Sequence, residues 1–412
     1  MRVPVFVLLL WLAAYPALGQ TLILSLAQAE ERLAHNREIL AGQRALEAAR
    51  ADVVIASQAP NPTLSYSATG INPWTGIGAG PFKDKQVDQT LSMSQLVERG
   101  GKRALRLAVA EKRVEAVAAD LANTRREQRL MLHQAWYDLL AAEEKLRLLT
   151  ETAALYEKSE EAARRRLSTG DIAQTDASRL RVEALRAKND RQAAEAEHKR
   201  AQANLAYLIG EEAHAADLAT DGRWPSFEVA GSLPDPRNRA DVRAAELRVE
   251  MAARARELAR RLTTRDFTVG AQVERYPPTP GVMWGISLSI PLFLRYGYEG
   301  EIARAETEYT IALEARERVL AQAQGEIVRT RADLDAAIER RRRVEAETLP
   351  EARRVAEAAE FAYRKGAIGL TDLLDARRTL RAVELEYVAT CADYAKARAA
   401  WLAATEWEMS PP

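Results

Sequence analysis

The feature that most constrains this chain is a stretch of 66 residues, 102–167, that contains neither glycine nor proline. Leucine or valine recurs along it every seven residues, which is typical of a helix packed through a coiled-coil-like seam. The recurring positions are Leu107, Val114 and Leu121, and then Leu132, Leu139 and Leu146. A helix of that length would extend about 100 Å. Because a compact domain is much narrower, we expect this helix to project as a rod.

The chain repeats its plan once, at an offset close to 200 residues. Gly170, Ile172, Thr175 and Asp176 are matched by Gly366, Ile368, Thr371 and Asp372, all at an offset of 196. Each half reads helix, strand, loop, strand, long helix, turn and helix. We therefore expect a first repeat over 20–210, a crossover segment over 211–236 and a second repeat over 237–412.

The predicted elements can be placed within each repeat. The first has a helix at about 25–58, strands at about 62–70 and 86–97, a long helix at about 102–167 and a helix at about 173–209. The second has a helix at about 238–263, strands at about 265–276 and 282–292, a long helix at about 302–365 and a helix at about 370–407. Gly325 and Pro350 interrupt the second long helix, so we expect a kink there.

The four strands alternate apolar residues with small polar ones, as in Leu64, Tyr66 and Ala68 against Ser65, Ser67 and Thr69. This pattern is typical of a transmembrane β-barrel with a wet lumen. For any single strand the alternative is a soluble sheet with one buried face. Four strands are too few to close a barrel, which needs about eight, and open edges are not viable in lipid. We therefore expect the chain to assemble, with three copies supplying twelve strands.

Composition excludes several classes of function. The 59 basic and 59 acidic residues cancel, so the chain lacks the net basic character of a nucleic-acid-binding protein. One cysteine, Cys391, excludes a disulfide framework and a multi-cysteine metal site, and we expect it to be a small packing residue. The histidines, His35, His133, His198 and His214, do not have metal-ligand spacing. We expect no cofactor, no catalytic residues and no enzyme.

Residues 1–19 are predicted to be a signal peptide cleaved between Gly19 and Gln20. Arg2 precedes an apolar run from Val5 to Ala14, which is well short of the roughly 20 residues that a spanning helix needs. No cysteine follows the cleavage site, so a lipid-anchored N-terminus is not expected. Together with the strands, the leader predicts a Gram-negative outer-membrane protein that extends into the periplasm.

Two segments carry a resemblance to a known family. They are Tyr363-Arg-Lys-Gly-Ala-Ile-Gly-Leu-Thr-Asp-Leu-Leu-Asp-Ala376 and Ser94-Gln-Leu-Val-Glu-Arg-Gly-Gly-Lys-Arg103. With the duplicated plan, the first resembles the TolC-like outer membrane efflux factors over essentially the whole mature chain. The second is similar to a segment of the CzcC-like, cobalt–zinc–cadmium resistance branch, although Leu96 stands where that branch usually has proline.

The resemblance implies a homotrimer with a β-barrel in the outer membrane and an α-helical barrel through the periplasm. It also implies two partners, a periplasmic adaptor (a membrane fusion protein) and an inner-membrane resistance–nodulation–division pump that supplies the energy. The chain would then be a passive duct, here for divalent heavy-metal cations. Two alternatives stay open: a duct of the same architecture for drugs or organic solutes, and a periplasmic coiled-coil scaffold without a pore.

Asp372 and Asp375 are three residues apart, a spacing that places both carboxylates on one face of a helix. By resemblance they ring the periplasmic aperture, where three copies would concentrate cations. The alternative is two solvated surface acids. Asp176 is the repeat mate of Asp372, and Tyr363 matches a tyrosine that ties the aperture shut in the family, so the two form a candidate latch. Ile368 stands in place of the family's gate arginine.

Two further groups are singled out. By resemblance, the residues around the two helix tips meet the adaptor, although ordinary helix-hairpin turns are an equal explanation; they are Leu167, Ser168, Gly170, Arg364, Lys365 and Gly366. Gly170 and Gly366 would end their helices and permit the reversal. At the junction of strand and long helix, Gly100 and Gly101 permit a sharp bend, and Lys102 and Arg103 begin the helix. We interpret this junction as structural, without a role as a metal ligand.

Overall fold

The computed structural model describes residues 22–74, 76–81, 85–227, 235–277 and 279–405, so the predicted signal peptide lies outside the described residues. The chain divides into two compact units. We call them the helical unit (Met1–Arg37, Glu127–Gly231 and Arg329–Ala403) and the sheet unit (Glu38–Arg126, Ser232–Val328 and Ala404–Pro412).

The elements follow the predicted order in both halves. They are β1 Leu22–Leu24, α1 Leu26–Arg32, α2 Arg37–Ser57, β2 Thr63–Thr69, β3 Asp88–Val97, α3 Lys102–Ser168, α4 Gln174–Ile209, β4 Leu218–Thr220, α5 Ala240–Arg261, β5 Phe267–Arg275, β6 Met283–Ser289, α6 Glu299–Arg343, α7 Leu349–Arg364 and α8 Leu370–Thr405.

The sheet unit is built on an antiparallel sheet with the strand order β2-β3-β5-β6. Its register aligns the apolar positions of neighbouring strands, so that Tyr66 lies opposite Leu91, Leu91 opposite Val273, and Val273 opposite Trp284. Because side chains alternate along a strand, this register gives the whole sheet one apolar and one polar face. The two strands from each repeat therefore form one continuous surface.

The helices of the sheet unit pack closely through small side chains. Ala116 and Ala119 of α3 form a buried cluster with Ala244 and Leu247 of α5. Alanine at the contact lets two helix backbones approach. At the edge of this contact, Arg248 donates a hydrogen bond of 2.6 Å to Asp120.

The first helix of the helical unit is shorter than the sequence predicted. A single helix over about 25–58 was expected, but α1 ends in a 3₁₀ turn at Leu33–His35 and α2 begins at Arg37. The break lies at Asn36, whose backbone is extended (φ −60°, ψ 136°). The Asn36 side-chain amide donates a hydrogen bond of 3.0 Å to the carbonyl of Leu208 at the end of α4. A tertiary contact therefore overrides the local helical pattern.

A short parallel pair, β1 with β4, was not predicted. Leu22 lies opposite Leu218, and Leu24 opposite Thr220. The backbone N–H of Thr220 donates to Glu143 of α3 at 2.9 Å. Strands of three residues are too short to show an alternation in the sequence.

The second long helix bends at only one of the two predicted places. The expected kink at Gly325 was wrong, because α6 runs through it without interruption. Before Pro350, however, one π turn spans Val344–Thr348, and the N–H of Leu349 donates to the carbonyl of Val344. Proline lacks the N–H of the normal ladder and its ring crowds the preceding turn, whereas glycine keeps its hydrogen bond.

The core of the helical unit lies where α3, α4 and α8 meet. Its largest fully buried side chains include Trp136, Leu139, Leu205 and Tyr394. Cys391 is buried among them, and burial raises the pKa of its thiol.

The start of the crossover segment is fastened to this core. The Tyr394 hydroxyl donates to the carbonyl of Ser226 at 2.8 Å, and Arg341 donates to the carbonyl of Pro225 at 2.9 Å. The rings of Trp224 and Tyr137 are stacked with their centroids 6.3 Å apart. The described part of the crossover is therefore held to the helices by backbone hydrogen bonds and aromatic contacts.

Candidate functional site

The polar face of the four-stranded sheet is the first candidate surface. It carries small hydroxyl residues and glycine, including Thr63, Ser65, Ser67, Thr90, Ser92, Ser94, Gly270, Gly285, Ser287 and Ser289. Larger side chains have little room at Gly270, where a Cβ would lie 2.4 Å from the hydroxyl of Ser287. Such a face offers hydrogen bonds to water without strong binding groups, which suits the wall of a wet lumen.

The opposite face is apolar and exposed. Its most exposed residues are Leu64 (69%), Trp284 (81%) and Ile286 (89%). Single exposed apolar side chains are common on proteins, but a contiguous surface of them marks an interaction site. The alternation predicted from the sequence thus corresponds to two chemically different sheet surfaces.

The predicted junction residues form a buried ionic joint between β3–α3 and α5–β5. The Lys102 side chain is only 8% exposed. Its Nζ donates to Asp266 Oδ2 at 2.8 Å and to the carbonyl of Thr264 at 2.7 Å. The backbone N–H of Arg99 donates to the other Asp266 oxygen at 2.7 Å. Lys102 therefore ties the two halves of the sheet unit together.

The glycines and arginines of the segment complete this joint. Gly100 and Gly101 both have φ of 70°, in the left-handed region that favours glycine. A Cβ on Gly100 would lie 3.0 Å from the Thr264 side chain, whereas one on Gly101 would meet nothing within 4 Å. Arg103 donates to the carbonyl of Ser57. The joint is structural, as the sequence predicted, but Thr264 and Asp266 were missed because they lie more than 160 residues away in the chain.

The two helix tips have the same local geometry. The N–H of Gly170 donates to the carbonyl of Leu167, and the N–H of Asp171 to that of Arg166. In the second repeat, Gly366 donates to Tyr363, and Ala367 to Ala362. Each pair of bonds is a Schellman motif, with glycine at positive φ.

The side chains expected at the adaptor surface lie on these turns. Ser168, Arg364 and Lys365 are exposed, and Leu167 is partly buried. They are accessible for a contact, which stays a prediction.

The predicted aperture residues, Asp372 and Asp375, are exposed on α8. The backbone N–H of Gly369 donates to Asp372 at 3.3 Å, which helps to cap the helix. Asp375 forms an ion pair of 3.0 Å with Arg378. The two carboxylates thus have local partners, and a role at an aperture stays a prediction.

A charged chain continues from Asp375 into the tip. Arg378 also donates to Glu183 of α4 at 2.7 Å, and the Glu183 side chain is only 4% exposed. The hydrogen bond from Arg378 holds the pKa of Glu183 below its usual value. The link between α4 and α8 was missed by the sequence, although the spacing of Asp375 and Arg378 on one helix face was visible.

The predicted latch residues line one cavity of about 310 Å³, together with Leu180, Glu360 and Arg377. In this structure the Asp176 carboxylate lies 3.5 Å from Arg179. Asp176 is also in the first turn of α4, where a carboxylate complements the helix dipole. The structure brings Asp176 and Tyr363 to the same cavity, and their direct hydrogen bond stays a prediction.

The most strongly perturbed carboxylate in the helical unit is Glu30, beside His133. Arg129 donates to Glu30 at 3.0 Å, and His133 Nε2 lies 2.5 Å from the same oxygen. Burial acts to raise the pKa of Glu30, but the hydrogen bonds from His133 and Arg129 outweigh it and lower that pKa to about 2. His133 therefore pairs with a carboxylate that holds α1 against α3.

Among the described residues, no group of three or more histidine, cysteine, aspartate or glutamate side chains is arranged to hold a metal ion. In the part of the chain that the structure describes, every helix is too short or too polar to cross a bilayer.

Comparison with known proteins agrees with this architecture. Residues 29–211 and 237–405 match the family model described as "Outer membrane efflux protein", one segment in each half. The cobalt-zinc-cadmium resistance protein CzcC of Cupriavidus metallidurans is 24% identical over 367 residues, which is 86% of this chain and 82% of that protein.

Two crystal structures show the fold. A membrane protein from Pseudomonas aeruginosa superimposes with a TM-score of 0.80 at 18% identity, over 92% of this chain and 90% of its own. The outer membrane protein VceC from Vibrio cholerae superimposes with a TM-score of 0.76 at 19% identity, over 92% and 95% of the two chains. The predicted fold class and family resemblance are thus confirmed, and the chain belongs to the outer membrane efflux protein family, whose members are transport channels and not enzymes.

Proposed function

We propose that this protein is the outer-membrane duct of a tripartite efflux system that expels divalent heavy-metal cations of the cobalt, zinc and cadmium type. The observation that carries the proposal is the likeness to CzcC, which extends over 86% of the chain and is not limited to one motif. The junction segment Ser94–Arg103 supports it, because it resembles the same branch.

In this proposal three copies form the duct. One chain supplies a four-stranded sheet, and both outer strands, β2 and β6, have a free edge in the monomer. Free edges are not viable in a bilayer, and a barrel needs about eight strands or more. Pairing β6 of one copy with β2 of the next would close twelve strands around the polar face. The exposed apolar face would then contact lipid.

The helical unit carries the proposed contacts with the other components. A periplasmic adaptor would bind the tips at Ser168, Gly170, Arg364 and Lys365, which are exposed on matching turns. An inner-membrane resistance–nodulation–division pump would supply the energy and select the ion.

We also retain the aperture at α8 as a proposal, with a refinement. Asp372 and Asp375 would attract cations to a narrow opening, but Arg378 lies 3.0 Å from Asp375 and Arg179 lies 3.5 Å from Asp176. Such a ring is of mixed sign, so its cation preference would depend chiefly on Asp372. A Tyr363→Phe variant tests the latch: an unchanged closed-state conductance would remove Tyr363 from it.

The proposed function is tested in a strain that lacks this protein and other outer-membrane efflux channels. Growth is measured with zinc, cobalt, cadmium, nickel and copper, alongside a panel of drugs, with the wild-type gene restored as control. Sensitivity to metals that the gene reverses supports the proposal. Sensitivity to drugs alone would keep the channel and overturn the metal cargo, and unchanged growth on every compound would reject an efflux role.

A further inference from the structure

The chain just after β6 continues the apolar face of the sheet beyond the last strand residue. Trp284, Ile286 and Leu288 point to the apolar face. The even-numbered positions that follow are also apolar or aromatic and exposed: Ile290 (48%), Leu292 (67%), Leu294 (85%) and Tyr296 (55%). We call Ile290–Tyr298 the post-strand segment. It lies at the end of the sheet where the strands give way to the long helices.

Strand lengths show why this segment matters. The apolar band of an outer-membrane barrel is about 25 Å tall, and its strands tilt by roughly 40°. At about 3.4 Å per residue, the seven residues of β6 span only about 15 Å of that height. The ten residues of β3 come close to the full height by the same arithmetic. A lipid-facing surface along β6 therefore needs further apolar residues.

The composition of the segment is that of a membrane interface. Phe293 and Tyr298 pack edge to face with ring centroids 5.3 Å apart, and Tyr296 lies 5.0 Å from Tyr298. The Arg265 guanidinium lies 5.5 Å from the Phe293 ring, and Arg295 is exposed. Tyrosine and arginine have apolar bodies and polar tips, so they are favoured at the level of lipid headgroups.

The backbone at Tyr298 gives independent support. Its φ is 66°, and it is the one non-glycine residue with positive φ among those described. That conformation is costly for a residue with a Cβ, and glycine, which stands at Gly297 and Gly300, would adopt it freely. A strained tyrosine at this turn indicates that its ring is needed in the aromatic cluster.

From these observations we propose that the post-strand segment is a membrane anchor that contacts the phospholipid leaflet at the helix-side end of the sheet. Leu292 and Leu294 enter the boundary of the acyl chains, while Tyr296 and Arg295 lie among the headgroups. The irregular backbone is compatible with this depth, because headgroups and water can satisfy its polar groups. The inference rests on the proposed placement of the sheet in the membrane.

Spin-label accessibility tests the inference. Single cysteines are introduced by Leu292→Cys, Leu294→Cys, Ile286→Cys and Phe361→Cys, each with Cys391→Ala. The assembled protein is reconstituted in vesicles of phosphatidylethanolamine and phosphatidylglycerol. Collision with oxygen, which partitions into lipid, is compared with collision with a water-soluble nickel complex. Ile286 reports the sheet face, and Phe361, which is 58% exposed on α7, reports water.

The expected result is oxygen-dominated collision at Leu292 and Leu294, close to the Ile286 value and well above that of Phe361. If these two labels matched Phe361, the segment would face water and the anchor would be wrong. If they were shielded from both reagents, a neighbouring copy would cover the segment, which also contradicts the proposal. Loss of the oxygen preference at Ile286 itself would instead overturn the membrane placement of the sheet, and the anchor with it.

Discussion

The two places where a strand hands over to a long helix solve the same problem with different chemistry. After β3, the bend uses Gly100 and Gly101 at positive φ, and Lys102 forms a buried ion pair with Asp266. After β6, the bend uses Tyr298 at positive φ, and its ring joins an aromatic cluster. The repeat therefore keeps the turn but not the residues that fix it.

The difference teaches what each junction can tolerate. A buried ion pair is all-or-none, because removing one partner leaves the other charge desolvated and unpaired. An aromatic cluster at the surface loses contacts one at a time. We therefore call them the ionic junction (Arg99–Lys102 with Thr264 and Asp266) and the aromatic junction (Phe293–Tyr298), and expect the ionic junction to be the more sensitive to substitution.

The largest effect is expected for Lys102→Met. It leaves Asp266 and the carbonyl of Thr264 without their donor, and breaking a buried pair in this way costs about 3–5 kcal/mol. The temperature at which the assembled protein dissociates in detergent should fall strongly. Lys112→Met is the matched control, since Lys112 lies on the same helix with exposed partners, Glu115 and Glu250, and should lose at most about 1 kcal/mol. Equal shifts for the two variants would contradict the account.

A smaller effect is expected at the glycines of the ionic junction. Gly100→Ala places a Cβ 3.0 Å from Thr264 and also strains the backbone, whereas Gly101→Ala meets only the backbone strain. Strain of this kind costs about 1–2 kcal/mol, and the contact adds to it. Thermal unfolding should therefore rank Gly100→Ala below Gly101→Ala. The reverse order would show that the close approach to Thr264 does not matter.

Acid should separate the two junctions more gently. The hydrogen bond from Arg106 lowers the pKa of Glu98. Burial acts to raise the pKa of Asp266, but the bonds from Lys102 and Arg99 lower it overall. Carboxylates with lowered pKa stabilise the fold above their unfolded pKa of about 4, and this stabilisation is lost as the pH falls through the folded value. Amide exchange, corrected for intrinsic rates, should accelerate in 98–106 and not in 293–302 below about pH 4. Parallel changes would contradict the distinction.

The smallest effect is expected at Tyr298. Tyr298→Gly relieves the strain at φ 66° but loses the ring contacts with Phe293 and Tyr296, and these contributions are each about 1 kcal/mol with opposite sign. The unfolding temperature should hardly change. Tyr298→Ala keeps the strain and loses the ring, so it should be clearly less stable. Equal stability of the two variants would show that backbone strain plays no part in the aromatic junction.

The sequence predicted the features that are carried by periodic patterns. Alternation along four short segments predicted the two-faced sheet, and the absence of breakers predicted α3. The register of the sheet then followed from aligning Leu91 with Tyr66 and Val273, because a slip by one residue would mix the faces.

Contacts between distant residues could not be predicted in the same way. Nothing near Lys102 in the chain indicates Asp266 as its partner, and nothing near Asn36 indicates the carbonyl of Leu208. The same holds for Arg378 and Glu183, which tie α8 to α4. These pairs form only after the helices have packed, so local patterns carry no record of them.

Efflux of metal from preloaded cells tests the central claim, that this chain is an export duct for divalent metal cations, most directly. Cells lacking this protein and other outer-membrane efflux channels are loaded with radioactive zinc, cobalt or cadmium, and release into the medium is followed with and without the restored gene. We predict that the wild-type gene restores rapid release of at least one of these metals. Identical release curves for all three metals, in cells that do contain the protein in the outer membrane, would contradict the account.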